Sequence, residues 1–141
     1  SEQLERIHAR HGYAILYDCH SIRSVVPYLF DGKRPDFNIG SNSGRSCDPA
    51  VEAAVGKACE QAGDYSSVSN GRFKGGWTTR AYGQPDRGIH AIQMELTQST
   101  YLRSETPPWA YDTTKATRLR AHLAEILTTL ADLAPKLGER Q

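Results

Sequence analysis

No apolar run in the chain approaches the ~20 residues that a membrane-crossing helix needs, which excludes a helical span. Cysteine is scarce. Cys19, Cys47 and Cys59 are scattered and make neither a disulfide framework nor a CxxC metal knuckle. An excess of one charge is also lacking. Seventeen Lys and Arg stand against sixteen Asp and Glu, a net +1, so nothing draws the chain to nucleic acid or an anionic membrane. The basic residues do not interleave with aromatics as in a nucleic-acid groove. There is no P-loop, no GxGxxG and no GxSxG elbow, which removes the common nucleotide folds and the serine-hydrolase turn. Repeats, low-complexity stretches and internal linkers are absent too. The polar start, SEQLERIHARHG, does not read as a signal peptide, and the expectation is a cytoplasmic protein.

What is present suits one soluble α/β domain: 141 residues with 38% apolar and 23% charged content. Ser1–His11 reads as the end of a helix, with Leu4, Ile7 and His8 at helical spacing, stopped by Gly12. An apolar run, Tyr13–Tyr17, reads as a buried strand with neighbours on both sides, delivering Asp18, Cys19, His20 and Ser21 at its end. Ile22–Arg34 reads as loop and Asp36–Gly40 as a short strand. Ser41–Pro49 reads as a turn-rich loop whose amides offer to hold an anion. Asp48 and Pro49 then start a helix over Ala50–Gln61. Tyr65–Ser69 alternates weakly, as a strand does, and Asn70–Arg87 is a long glycine-rich functional loop. Gly88–Thr97 is the second clear strand: His90, Ile92, Met94 and Leu96 share one face, Ile89, Ala91, Gln93, Glu95 and Thr97 the other. After a loop over Gln98–Tyr111, Asp112 or Thr113 caps a long helix to Leu137, with Gly138 as its stop. Leu119, Leu123, Ile126, Leu127, Leu130, Ala134 and Leu137 form its apolar face, which packs on the sheet.

Several residues carry two readings. His20 is either a metal ligand oriented by Asp18, with Ser21 alongside, or a strand-end histidine bonded to its neighbours. Cys19 points the other way and reads as core. Glu95, near the end of an apolar strand, is a buried general base, or it reaches solvent or pairs with Arg80 or Arg87. Arg80 and Arg45 are carboxylate-gripping arginines or surface arginines. Asn42 either bonds a ligand or serves its turn, and His90 reads as a satisfied core histidine. Ser21, His20 and Asp18 are too close in sequence to form a catalytic triad.

Taken in order, DCHSI (Asp18–Ile22), PDFNIGSNSGRSCDP (Pro35–Pro49), GGWTTRAYGQPDRGIHAIQMEL (Gly75–Leu96) and YL (Tyr101–Leu102) resemble the N-formylglutamate amidohydrolase family. The resemblance implies a phosphorylase/hydrolase-like fold of the zinc-carboxypeptidase kind, a mixed sheet flanked by helices. It implies hydrolysis of N-formyl-L-glutamate to formate and L-glutamate, in histidine degradation, with a divalent metal, zinc. His20 matches a metal ligand, with Asp18 and Ser21 behind it, and Glu95 matches the catalytic carboxylate. Arg80, Arg45 and Asn42 match segments that hold the substrate's carboxylates.

The family pattern also has an earlier segment that carries further metal ligands, which this sequence does not show. The expectation is therefore that residues 1–141 are a single domain or the C-terminal portion of such a catalytic domain, alone inactive. The missing portion, or self-association, would then cover an open sheet edge. Two other functions stand beside the first: a different zinc-dependent acylamino-acid amidohydrolase or carboxypeptidase-like enzyme, and a truncated, non-catalytic binding module.

Overall fold

The computed structural model describes residues 1–139. Its elements are α1 (Glu2–His11), β1 (Ala14–Ile22), β2 (Phe37–Gly40), α2 (Pro49–Gln61), β3 (Ser67–Ser69), α3 (Trp77–Tyr82), β4 (Ile89–Thr97) and α4 (Thr113–Gly138). The four strands form one mixed sheet in the order β1-β4-β2-β3. β4 lies parallel to β1 and antiparallel to β2, and β2 is parallel to β3.

The face that carries His90, Ile92 and Met94 continues through Ile15 and Tyr17 of β1 and Phe37 and Ile39 of β2, their register neighbours. α2 and α4 cover this face. Val51, Val55, Ala58 and Cys59 of α2 and Leu119, Ile126, Leu130 and Leu137 of α4 join those strand residues in one apolar core. Burial of this continuous apolar surface is the main drive for the two layers.

Local chemistry sets the helix ends. Gly12, at φ 77°, ends α1 and its N–H donates to the His8 carbonyl at 2.7 Å. Asp48 accepts the Ala50 N–H at 2.7 Å, with Pro49 in the first helical turn, as expected for the start of α2. Asp112 accepts the Lys115 N–H at 3.0 Å and caps α4.

Some expectations need correction. β1 runs on past the apolar stretch Tyr13–Tyr17 and pairs with β4 as far as Ile22, so Asp18–Ser21 lie on the strand. Among the described residues β1 is a sheet edge, the open edge expected of a chain that holds one side of the sheet, and its later residues are exposed. Cys19 is exposed for that reason, although it points to the helix side. Leu127 is half exposed because this part of α4 overhangs β1, where it borders a shallow apolar groove with Ile15 and Tyr17. Gly138 is the last residue of α4, not a stop beyond it. The glycine-rich segment 70–87 contains α3, which packs on β4 and β1 from the side opposite α2 and α4. No helix among the described residues is long and apolar enough to cross a membrane.

Candidate active site

The sheet's second face is polar. Register pairs Asp18 with Gln93, His20 with Glu95, and Glu95 in turn with Asn38 of β2. Side chains at paired positions project to the same side, so adjacent strands deliver His20 and Glu95 side by side. A cleft of about 470 Å³ opens here, walled on the far side by the 72–80 segment.

His20 is exposed at the cleft, and its Nε2 lies 3.1 Å from Asp18 Oδ2. The two atoms do not meet in hydrogen-bond geometry, and Asp18 Oδ2 is buried without a hydrogen-bond partner. Glu95 is 7% exposed, and Gln93 Nε2 donates to its Oε2 at 3.3 Å. Burial pushes the Glu95 carboxyl above the usual carboxylate range, His20 and Arg34 pull it back, and Asp18 pushes it further up. Glu95 therefore neither reaches freely into solvent nor pairs with Arg80 or Arg87. Arg87 lies 3.8 Å from Glu5 instead, and Arg80 Nη1 donates to the Gly75 carbonyl at 3.0 Å.

The arginine near Glu95 is Arg34, from the loop before β2. The residue is 4% exposed, its guanidinium stacked 4.1 Å from the Phe73 ring centroid, with neither Nη atom hydrogen-bonded. Burial lowers the Arg34 pKa, and the Glu95 charge opposes that shift.

The wall of the cleft is laid directly on the strands. Asn38 accepts the Phe73 N–H at 3.4 Å and returns its own Nδ2–H to the Phe73 carbonyl at 2.5 Å. Gln93 Oε1 accepts the Gly76 N–H at 2.7 Å. Gly40 is required because a Cβ there would overlap the backbone of Lys74 and Gly75. Asn38, Gln93 and Gly40 thus serve as a bed for this segment.

Of the residues expected at the site, Asp18, His20, Glu95 and Arg80 line the cleft together. Ser21 does not join them: it lies at the register of Leu96, on the helix side, and its Oγ is 2.7 Å from the Tyr101 hydroxyl. Asn42 and Arg45 do not line the cleft either; Arg45 Nη2 donates to Asn42 Oδ1 at 3.3 Å. The amides of their loop are spent internally. Ser41 and Ser43 donate to Asn70 Oδ1, Gly44 to Ser41 Oγ, and Arg45 and Ser46 to the Ser41 carbonyl. They offer no open nest for an anion. Arg72 and Lys74 also line the cleft. Their signal was the alternation in GRFKGG, which puts 72 and 74 on the same side of an extended segment.

Among the described residues no three His, Cys, Asp or Glu side chains converge to hold a metal. His20 with Asp18 and Glu95 nearby falls short of the three protein ligands of a catalytic zinc. The donor set of this chain therefore does not by itself fit a complete zinc centre.

A family model for N-formylglutamate amidohydrolase matches residues 1–102. The chain is 53% identical over 130 residues to an N-formylglutamate deformylase of Pseudomonas aeruginosa, covering 92% of this chain and 48% of that one. It is 49% identical over 128 residues to an N-formylglutamate deformylase of Pseudomonas putida, covering 91% and 48% respectively. The fold is similar, at TM-score 0.72 and 22% identity, to a crystal structure of N-formylglutamate amidohydrolase from Ralstonia eutropha JMP134, over 99% of this chain and 47% of that one. The chain spans about half the length of the curated relatives it matches. With that extent of similarity, the chain belongs to the N-formylglutamate amidohydrolase family.

Proposed function

We propose that the site takes part in hydrolysis of the formamide bond of N-formyl-L-glutamate, giving formate and L-glutamate. The observation that carries this reading is the pairing of His20 and Glu95 at one register of adjacent strands, facing a cleft edged by cations. The names of the curated relatives supply the substrate.

Glu95 is the general base. Its raised pKa lets it take a proton from the attacking water near neutral pH. The water oxygen bonds the formyl carbon. Glu95 returns the proton to the nitrogen as the C–N bond breaks, and the remaining acidic proton passes from formic acid to the amine. Arg80 grips a substrate carboxylate.

His20, with Asp18 beside it, would contribute one ligand to a divalent metal, zinc, completed by residues outside this chain. Such an ion, when bound, acidifies water and polarises a carbonyl. Residues 1–141 alone are then inactive. The open edge of β1 and the groove at Ile15, Tyr17 and Leu127 are the surface where the rest of the longer protein, or a second copy, packs. The three unpaired cysteines fit a cytoplasmic setting.

The test is formate release from N-formyl-L-glutamate by the zinc-loaded longer protein. Glu95→Gln should lower kcat by about 10²–10⁴ and keep the bound zinc, whereas His20→Ala should lose zinc. A Glu95→Gln protein with full turnover sinks the assignment of the base. Absence of formate release from the wild type sinks the reaction.

A further inference from the structure

The cleft holds more positive charge than gripping one carboxylate needs. Arg72, Lys74 and Arg80 all line it, and none makes an ion pair with a carboxylate among the described residues. Arg72 and Lys74 differ from ordinary surface cations in how they are mounted. Phe73 between them is clamped at both backbone polar groups by Asn38, itself 2% exposed. Its ring is backed by the buried Arg34 guanidinium at 4.1 Å. One residue on, the Lys74 carbonyl accepts the Asn42 N–H at 2.6 Å, and two residues beyond that Gly76 is held by Gln93. The backbone under both cations is thus pinned at successive points to β2, its following loop and β4. A site held on rigid elements costs less ordering on binding than one on a free loop. Arg80, tethered to the Gly75 carbonyl, is a third cation on the same wall.

We propose that Arg72 and Lys74 form a second carboxylate seat, Arg80 taking one carboxylate of a dicarboxylic ligand and the 72/74 pair the other. This rests on the reading of the site as one for an acidic N-acyl amino acid, and adds which residues separate a diacid from a monoacid. Asn38 is the positioning residue that keeps the pair aimed at the cleft. The energetic logic is charge-assisted hydrogen bonding from a preorganised wall, so the preference weakens with salt.

The test needs no turnover. Glutarate and butyrate are titrated into the full 141-residue chain, without metal and at low salt, and followed by backbone amide shifts in NMR. Glutarate should bind at least about tenfold more tightly than butyrate. Arg72→Gln and Lys74→Gln should each remove several-fold of glutarate affinity and leave butyrate unchanged. The double variant should bind both ligands alike, and Lys74→Arg should keep the preference. Equal binding of the two acids by the wild type, measurable binding of neither, or a preference that survives in the double variant each overturns the seat. The proposed reaction fails separately. A chain that prefers glutarate, whose zinc-loaded longer form releases no formate, keeps the diacid seat and loses the deformylase assignment.

Discussion

Gln93 stands between Glu95 and the wall of the cleft, its Nε2 3.3 Å from Glu95 Oε2 and its Oε1 2.7 Å from the Gly76 amide. A backbone N–H can only donate, so Gly76 fixes which end of the Gln93 amide is oxygen and turns the NH₂ towards the carboxylate. The segment that walls the cleft thereby sets the orientation of the residue assigned as base.

Replacing Gln93 by Leu should misplace Glu95 and, by releasing the Gly76 N–H, loosen the wall that carries the substrate cations. In a longer form that releases formate, kcat should fall about 10- to 100-fold, since small displacements of a reacting group carry costs of that order, and KM should rise by a smaller factor. Steady-state kinetics give the split. A loss confined to KM would show that Gln93 acts on the wall and not on Glu95.

Gly40→Ala puts a methyl group into the backbone of Lys74 and Gly75, which cannot yield as a side-chain tip does. The cost should be about 1–3 kcal/mol or more. Urea denaturation of the 141-residue chain reads it as a lower midpoint with an unchanged slope. A midpoint equal to wild type would mean that the 74–75 segment is free to lift from β2.

His90 should make the fold acid-sensitive. It is 2% exposed, its Nδ1 accepts the Asp48 N–H at 3.1 Å, and burial lowers its pKa, partly offset by the Asp48 charge. A histidine whose folded pKa is depressed contributes stability that is whole above its unfolded pKa. That stability is lost as pH falls through the folded value, because the unfolded chain takes up the proton first. Stability should therefore fall below about pH 6.5 at up to about 1.4 kcal/mol per pH unit from this group. His90→Gln should flatten that part of the profile, as read by denaturation at pH 5, 6 and 7. An identical slope in the variant would assign the acid sensitivity to other groups.

Asp48→Ala removes the α2 cap, exposing the Ala50 N–H at a helix start that packs on the core. The loss should be about 1 kcal/mol, largely recovered by Asp48→Asn, which keeps the accepting oxygen. Thermal melts of the two variants side by side give the comparison.

Much of the architecture was legible in the chain because it follows from short-range rules. The capping pair Asp48–Pro49, the period-3.6 stripe of α4 and the alternation of β4 each announce an element through neighbours a few residues away. The two faces of β4 follow from the same alternation, and with them the side on which Glu95 stands. The motif order placed Asp18, His20, Glu95 and Arg80, and all four meet at one cleft.

Where the sequence read less well, the deciding contacts were long-range. Pairing with β4 carries β1 on to Ile22, so register, not local hydrophobicity, places His20 beside Glu95. Arg34 lies in a loop, as expected, but nothing near it in sequence shows that Phe73 and Glu95 will stand beside it. Ser21 fell on the other face because one step along a strand reverses a side chain. Asn42 and Arg45 stand away from the cleft lining because their loop uses its own polar groups to bind Asn70 and Lys74.

By itself the sequence determined the longer helices and strands, the N-caps of α2 and α4 and the polar side of the central strand, since these depend on the chemistry of adjacent residues. Only the tertiary structure decided which polar residues share the cleft and which serve as a bed for its wall. That choice rests on strand pairing and on hydrogen bonds such as Asn38 to Phe73, formed between residues 35 positions apart.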